Sequence, residues 1–169
     1  MPGSGQFQET ETMNYETCAE IETAVAGYFD PRRSLIVPNV WWGLGLNHEC
    51  DVFVLTKSGF AYEVEIKTSR ADLKRDLLKR TQHASNLIRK LYFALPQAIE
   101  ASTSLIPERA GILIVGTKGH VFKRREAQIN PTAKPLRPET QLKLAHLGTM
   151  RIWALKRDLR TAYATHRPA

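Results

Sequence analysis

The amino-acid sequence predicts an α/β protein, one mixed β-sheet flanked by helices, with elements in the order α-β-β-β-α-β-β-α. Three observations carry this expectation. Short apolar runs bounded by Gly, Pro and polar turn residues recur between residues 34 and 115, as buried or half-buried strands do. Three other stretches repeat apolar residues at intervals of three and four, the spacing of amphipathic helices. The two kinds of segment alternate along the chain, which favours helices laid over a single sheet. The 169 residues, 43% apolar and 24% charged, fit one soluble domain with a sizeable core.

Residues 1–13 are small and polar without periodicity and are expected to be a disordered lead-in to a single domain over 14–169. A first helix is expected over 14–29. There Cys18, Ile21, Val25 and Tyr28 form an apolar stripe, Glu22 lies at its edge, and Glu16 and Glu20 lie further round. Asp30-Pro31 stops that helix. Residues 34–40 read as a strand, with Pro38 suited to an edge. The loop that follows contains Trp41, Trp42 and His48, offered either to the core or to a substrate. Runs 52–55 and 60–66 then flank Thr56-Lys57-Ser58-Gly59, the pattern of a β-hairpin. Ser69, with Asp72 three residues later, resembles a capping box opening a basic helix whose apolar stripe is Leu73, Leu77 and Leu78. Residues 81–86 are a polar interval, 90–95 a strand ended by Pro96, and 97–103 a helical turn. The apolar run 111–115 suits a strand covered on both faces, and 117–119 turn the chain into 120–123. Pro131, Pro135 and Pro138 mark an extended connection. Pro138-Glu139 opens a final helix to about residue 157, with Gly148 as a weak point.

Charge is unevenly spread. Residues 1–30 carry six acids and no Lys or Arg, which leaves +13 on residues 31–169 of a total of +7. Residues 70–90 hold seven bases against Asp72 and Asp76. Such clustering suggests a polyanion partner, a solvated helix surface being the alternative. No apolar run approaches the ~20 residues that span a bilayer. Cys18 and Cys50 lack metal-ligand spacing and read as free thiols of a cytoplasmic protein.

The hairpin concentrates the chemistry. Asp51 opens its first strand, and Glu63, Glu65 and Lys67 take alternate positions at the end of its second. Alternate residues share a face, roughly 7 Å apart. Two carboxylates and an ammonium on an otherwise apolar sheet are costly unless they bind something, and a metal ion with a phosphate would satisfy them. Glu63 is expected to be an exposed strand residue or a partner for a base, and Glu49 has the same ambiguity. Asp72 and Asp76 suit helix capping and ion pairs.

Helix with Glu22, strand, Asp51 strand, Glu65-Ile66-Lys67 strand and basic helix together resemble the PD-(D/E)xK nuclease superfamily. The strings Val-Pro-Asn-Val-Trp-Trp-Gly-Leu-Gly, His-Glu-Cys-Asp, Glu-Val-Glu-Ile-Lys-Thr-Ser-Arg-Ala-Asp-Leu and Lys-Leu-Tyr-Phe-Ala-Leu-Pro look like its MmcB-type DNA-repair and phage relatives, from about Glu20 to Val115. Cys50 stands where the motif's name has Pro. The resemblance implies a restriction-endonuclease-like three-layer core and a Mg²⁺-dependent deoxyribonuclease, with Mn²⁺ as a substitute. Asp51 and Glu65 would bind the metal and Lys67 would assist hydrolysis. Glu22, with Glu20 as its rival, would supply the first-helix acid, and the Ile66 carbonyl is a candidate third ligand. Lys79, Gln82 and His83 are candidates for a polar contribution from the following helix. Arg70, Lys74 and Arg75 would contact the DNA backbone. RNA as substrate, a homodimer, and an inactive nucleic-acid-binding or interaction module on the same fold all stay open.

Overall fold

The computed structural model describes residues 17–41, 44–46, 48–77 and 85–165. Ten elements follow one another: α1 (Cys18–Phe29), β1 (Leu35–Val40), β2 (Cys50–Leu55), β3 (Ala61–Ile66), α2 (Arg70–Leu77), β4 (Ile88–Pro96), a 3₁₀ segment (Gln97–Leu105), β5 (Gly111–Val115), β6 (Val121–Arg125) and α3 (Pro138–Thr165). The α/β class and the mixed sheet are as expected. The expected order omitted β6, whereas the helical turn expected over 97–103 is the 3₁₀ segment Gln97–Leu105. β6 reads weakly in sequence because its run Val-Phe-Lys-Arg-Arg sits at the sheet edge and is largely exposed.

All six strands form one sheet in sequence order, β1 to β6. The pairs β1–β2, β2–β3 and β5–β6 are antiparallel, whereas β3–β4 and β4–β5 are parallel. Each parallel pair needs a crossover connection; α2 supplies one and the 3₁₀ segment the other. The hairpin turn forms as its sequence requires, with Gly59 at φ 79° and Thr56 donating its N–H to the Phe60 carbonyl at 2.9 Å. Pro38 lies on edge strand β1, where proline is tolerated.

One face of the sheet is covered by α1. Ile21 and Val25 are fully buried against Val52, Val54, Val64, Ile66, Ala94 and Leu113. Cys18 and Tyr28, at the ends of the expected stripe, are exposed instead, and at the C-terminal end of the helix Phe29 packs on Tyr62 and Tyr92 in place of Tyr28. The other face carries two clusters. Leu144 of α3 and Leu136 pack with Val37, Phe53 and Ala61, and Leu73 of α2 packs with Leu91, Phe93 and Ile112. β5 contributes to both faces, as its unbroken apolar run implies.

α3 runs eight residues past the expected end, and Gly148 does not interrupt it. A Cβ at Gly148 would lie 3.4 Å from Val37 Cγ2, so this glycine is where the helix crosses β1. Glu126, in the extended connection, gathers Lys123, Lys90 at 2.7 Å and the Tyr92 hydroxyl at 2.5 Å.

At Gly111 a Cβ would lie 2.3 Å from Tyr92 Cδ1 and 2.8 Å from the Ala127 backbone nitrogen. Gly111→Ala should therefore lower stability by about 1–3 kcal/mol, read as a drop in the thermal midpoint. An unchanged midpoint would show that the sheet relaxes freely there.

Candidate functional site

The β2–β3 ladder runs from Leu55↔Ala61 to Val52↔Val64 and ends there. Beyond that point a side chain takes over: Asp51 Oδ2 accepts the Ile66 N–H at 2.7 Å. β3 stays tied on its other edge, through Ile66↔Ala94 and the Lys67 N–H to the Ala94 carbonyl at 3.0 Å. The end of β3 is thus held by β4 on one side and by the Asp51 carboxylate on the other.

Strand alternation puts Glu63, Glu65 and Lys67 on the face covered by α2, where they are 0%, 5% and 7% exposed. Glu63 stands opposite Phe53 on β2 and Leu91 on β4, in the seam between two apolar clusters. The exposed reading of Glu63 is therefore corrected, because strands flank it on both sides. It partners a base, His48, whose Nε2 lies 2.5 Å from Glu63 Oε1. The Lys67 ammonium sits 3.0 Å from Glu65 Oε2 and 3.3 Å from Asp76 Oδ1. Glu65 Oε1 is buried and has no hydrogen-bond partner among the described residues.

The titration behaviour follows from this crowding. Burial, then the Asp51 charge, pushes the Glu65 carboxyl up to about 7, against the pull of Lys67. Burial also raises Asp51, although the Ile66 N–H and Lys67 oppose it. For Lys67, burial alone would favour the neutral amine, but Glu65 and Asp76 outweigh it and hold the ammonium above its ordinary value.

Glu22 on α1 belongs to the same neighbourhood. Its carboxyl is raised by burial and by Asp51, with Arg151 of α3 acting the other way. Its rival Glu20 is used in capping: its side chain accepts from the Thr17 N–H at 3.0 Å and the Thr17 hydroxyl at 2.6 Å, and Thr17 caps Glu20 in return. Arg151, which the sequence reading did not single out, also donates to the Asn39 carbonyl. The thiol of exposed Cys18 is raised by partial desolvation and then by the charges of Asp51, Glu22 and Asp72.

α2 divides its charges by face. Asp76 reaches Lys67, and Asp72 pairs with Arg75 at 3.4 Å and receives the Ser69 cap on its N–H. Both acids behave as capping and ion-pair groups, as expected. Arg70, Lys74 and Arg75 are exposed. Glu49 and Trp41 are exposed as well. Trp42, Lys79, Gln82 and His83 lie outside the described residues.

No protein-family model matches the chain, and no curated protein does. Among solved structures it is similar to a protein of unknown function from Silicibacter pomeroyi. The identity is 19% and the TM-score 0.59, over 91% of this chain and 94% of that one. A likeness at that identity speaks for the fold alone. Among the described residues no helix is long and apolar enough to cross a membrane.

Because the Glu65 value of about 7 exceeds the ordinary 4.5, the folded chain keeps a proton that the unfolded chain releases between these values. The stability from this group is full below pH 4.5 and falls as pH rises to about 7, by roughly 3 kcal/mol. In metal-free buffer with chelator, Glu65→Gln should flatten the loss of thermal stability across that window. A slope equal to that of the wild type would remove Glu65 as its source.

Proposed function

We propose that this chain is a metal-dependent nuclease that hydrolyses phosphodiester bonds of DNA, in DNA repair or in phage and mobile-element DNA metabolism. The observation that carries the reading is the meeting of Asp51, Glu65 and Lys67 at the end of β3, with the Glu65 Oε1 atom buried and unpartnered. A carboxylate oxygen left bare in the interior is costly, and an oxygen-seeking cation such as Mg²⁺ or Mn²⁺ relieves that cost. The donor chemistry is oxygen throughout: Asp51 and Glu65 would hold the ion, with the Ile66 carbonyl as a further oxygen and Glu22, whose carboxyl feels the Asp51 charge, nearby. When bound, such an ion supplies Lewis acidity at the scissile phosphate and a nucleophile at neutral pH.

The remaining chemistry belongs to the chain. Lys67, kept protonated by Glu65 and Asp76, acts as a fixed donor and not as a base. It orients the attacking water and stabilises the charge that grows on the phosphate. Asp76 holds that ammonium in place. Arg70, Lys74 and Arg75, exposed on α2, bind backbone phosphates, which gives affinity without sequence preference.

Purified chain should nick or degrade DNA with Mn²⁺ or Mg²⁺, and Asp51→Ala or Lys67→Ala should each lower the rate at least about a hundredfold. Full activity in both variants would overturn the assignment. DNA binding without cleavage in either metal would make the chain a binding module on this fold, and RNA in the same assay tests the other substrate. Arg70→Ala and Lys74→Ala should each weaken DNA binding and reduce the slope of log affinity against log salt by about 1. An unchanged slope would place the DNA elsewhere.

A further inference from the structure

We infer a second cation site beneath the first, formed by His48, Glu63 and Glu65 and selective for a divalent transition-metal ion. Each of the three residues offers a donor atom, and these atoms all lie within 4.8 Å of one another. Ions bonded at about 2.0–2.2 Å to imidazole and carboxylate join donors some 3–4 Å apart, so small side-chain rotations seat one here.

Burial gives the cluster its force. Glu63 is fully buried, Glu65 is 5% exposed, and the His48 side chain is 8% exposed. An acidic surface patch can leave its charges to water, but these groups cannot. Lys67 pairs with Glu65 and Asp76, and His48 contacts Glu63. A divalent ion would add positive charge between Glu63 and Glu65 inside a low-dielectric seam. Glu65 supplies a second sign of a ligand: Oε2 is taken by Lys67, whereas Oε1, the atom on which the proposed Mg²⁺ site also draws, has no hydrogen-bond partner among the described residues. The 2.5 Å His48–Glu63 contact already sets an imidazole and a carboxylate donor side by side, and a bound ion would replace that contact.

The donor types set the class of ion. Mg²⁺ prefers oxygen and keeps its waters, whereas one imidazole with two carboxylates suits Mn²⁺, Fe²⁺ or Zn²⁺. Glu65 is common to both sites, so its two oxygens can serve two cations or one cation and Lys67. The inference stands on its own if no nucleic acid is cleaved.

The test uses full-length chain stripped with chelator, loaded with Mn²⁺ and examined by pulsed electron paramagnetic resonance. The wild-type spectrum should show nitrogen coupling from one directly bound imidazole. That coupling should vanish in His48→Gln and persist in Asp51→Ala, the variant expected to lose cleavage. Absence of nitrogen coupling in the wild type overturns the site, and this reading needs no variant to fold. Coupling that persists in His48→Gln assigns it to another histidine and overturns it equally. Loss of coupling in Asp51→Ala would leave one site in place of two and overturn the second.

Discussion

The structure depends on a single hydrogen bond at the end of a hairpin. Between Val52 and Val64 the backbone ladder stops, and the next link between β2 and β3 is the Asp51 carboxylate on the Ile66 N–H. A side chain reaches further than a backbone carbonyl, so two strands can part without orphaning a donor. β4 keeps β3 in line on the far edge, so Glu65 and Lys67 stay on one face at that end of the sheet.

The groups gathered there disagree electrostatically. Burial raises Asp51, Glu65 and Glu22 together, the Asp51 charge adds to the last two, and Lys67 is a partial remedy shared with Asp76. A core chosen for stability would place apolar side chains at such positions, since buried ion pairs seldom repay their desolvation. The tension concentrates where Phe53, Leu91 and Phe93 press on the acidic pair from both neighbouring strands. Perturbed carboxylates held by a rigid sheet are the usual material of functional sites.

Much of this was legible from residue spacing. Period-two alternation put Glu65 beside Lys67, and the turn at Gly59 brought Asp51 back to them. The same alternation implied that Glu63 shares their burial, but the strand's position between two others was needed to see it. The capping role of Glu20 was written locally, because Thr17 with Glu20 three residues later is a capping-box spacing. His48 lies in a loop without periodicity, so its meeting with Glu63 could not be read from sequence. Arg151 comes to the Asn39 carbonyl across 112 residues, which no local pattern can report. β6 was missed because edge strands with exposed charges lack the apolar signal on which strand assignment rests.

The strict sequence order of the six strands has a consequence for how the molecule is made. Each strand docks on the one synthesised just before it, so the sheet can grow outward without threading or waiting for distant segments. Low-separation contacts of this kind favour rapid folding. His48, Asp51, Glu63, Glu65, Lys67 and Asp76 fall within one stretch of 29 residues. Their constellation can assemble as soon as β2, β3 and α2 collapse onto β4. Glu22 and Arg151 come from the first and last helices, and through them the two ends of the chain report to the same place.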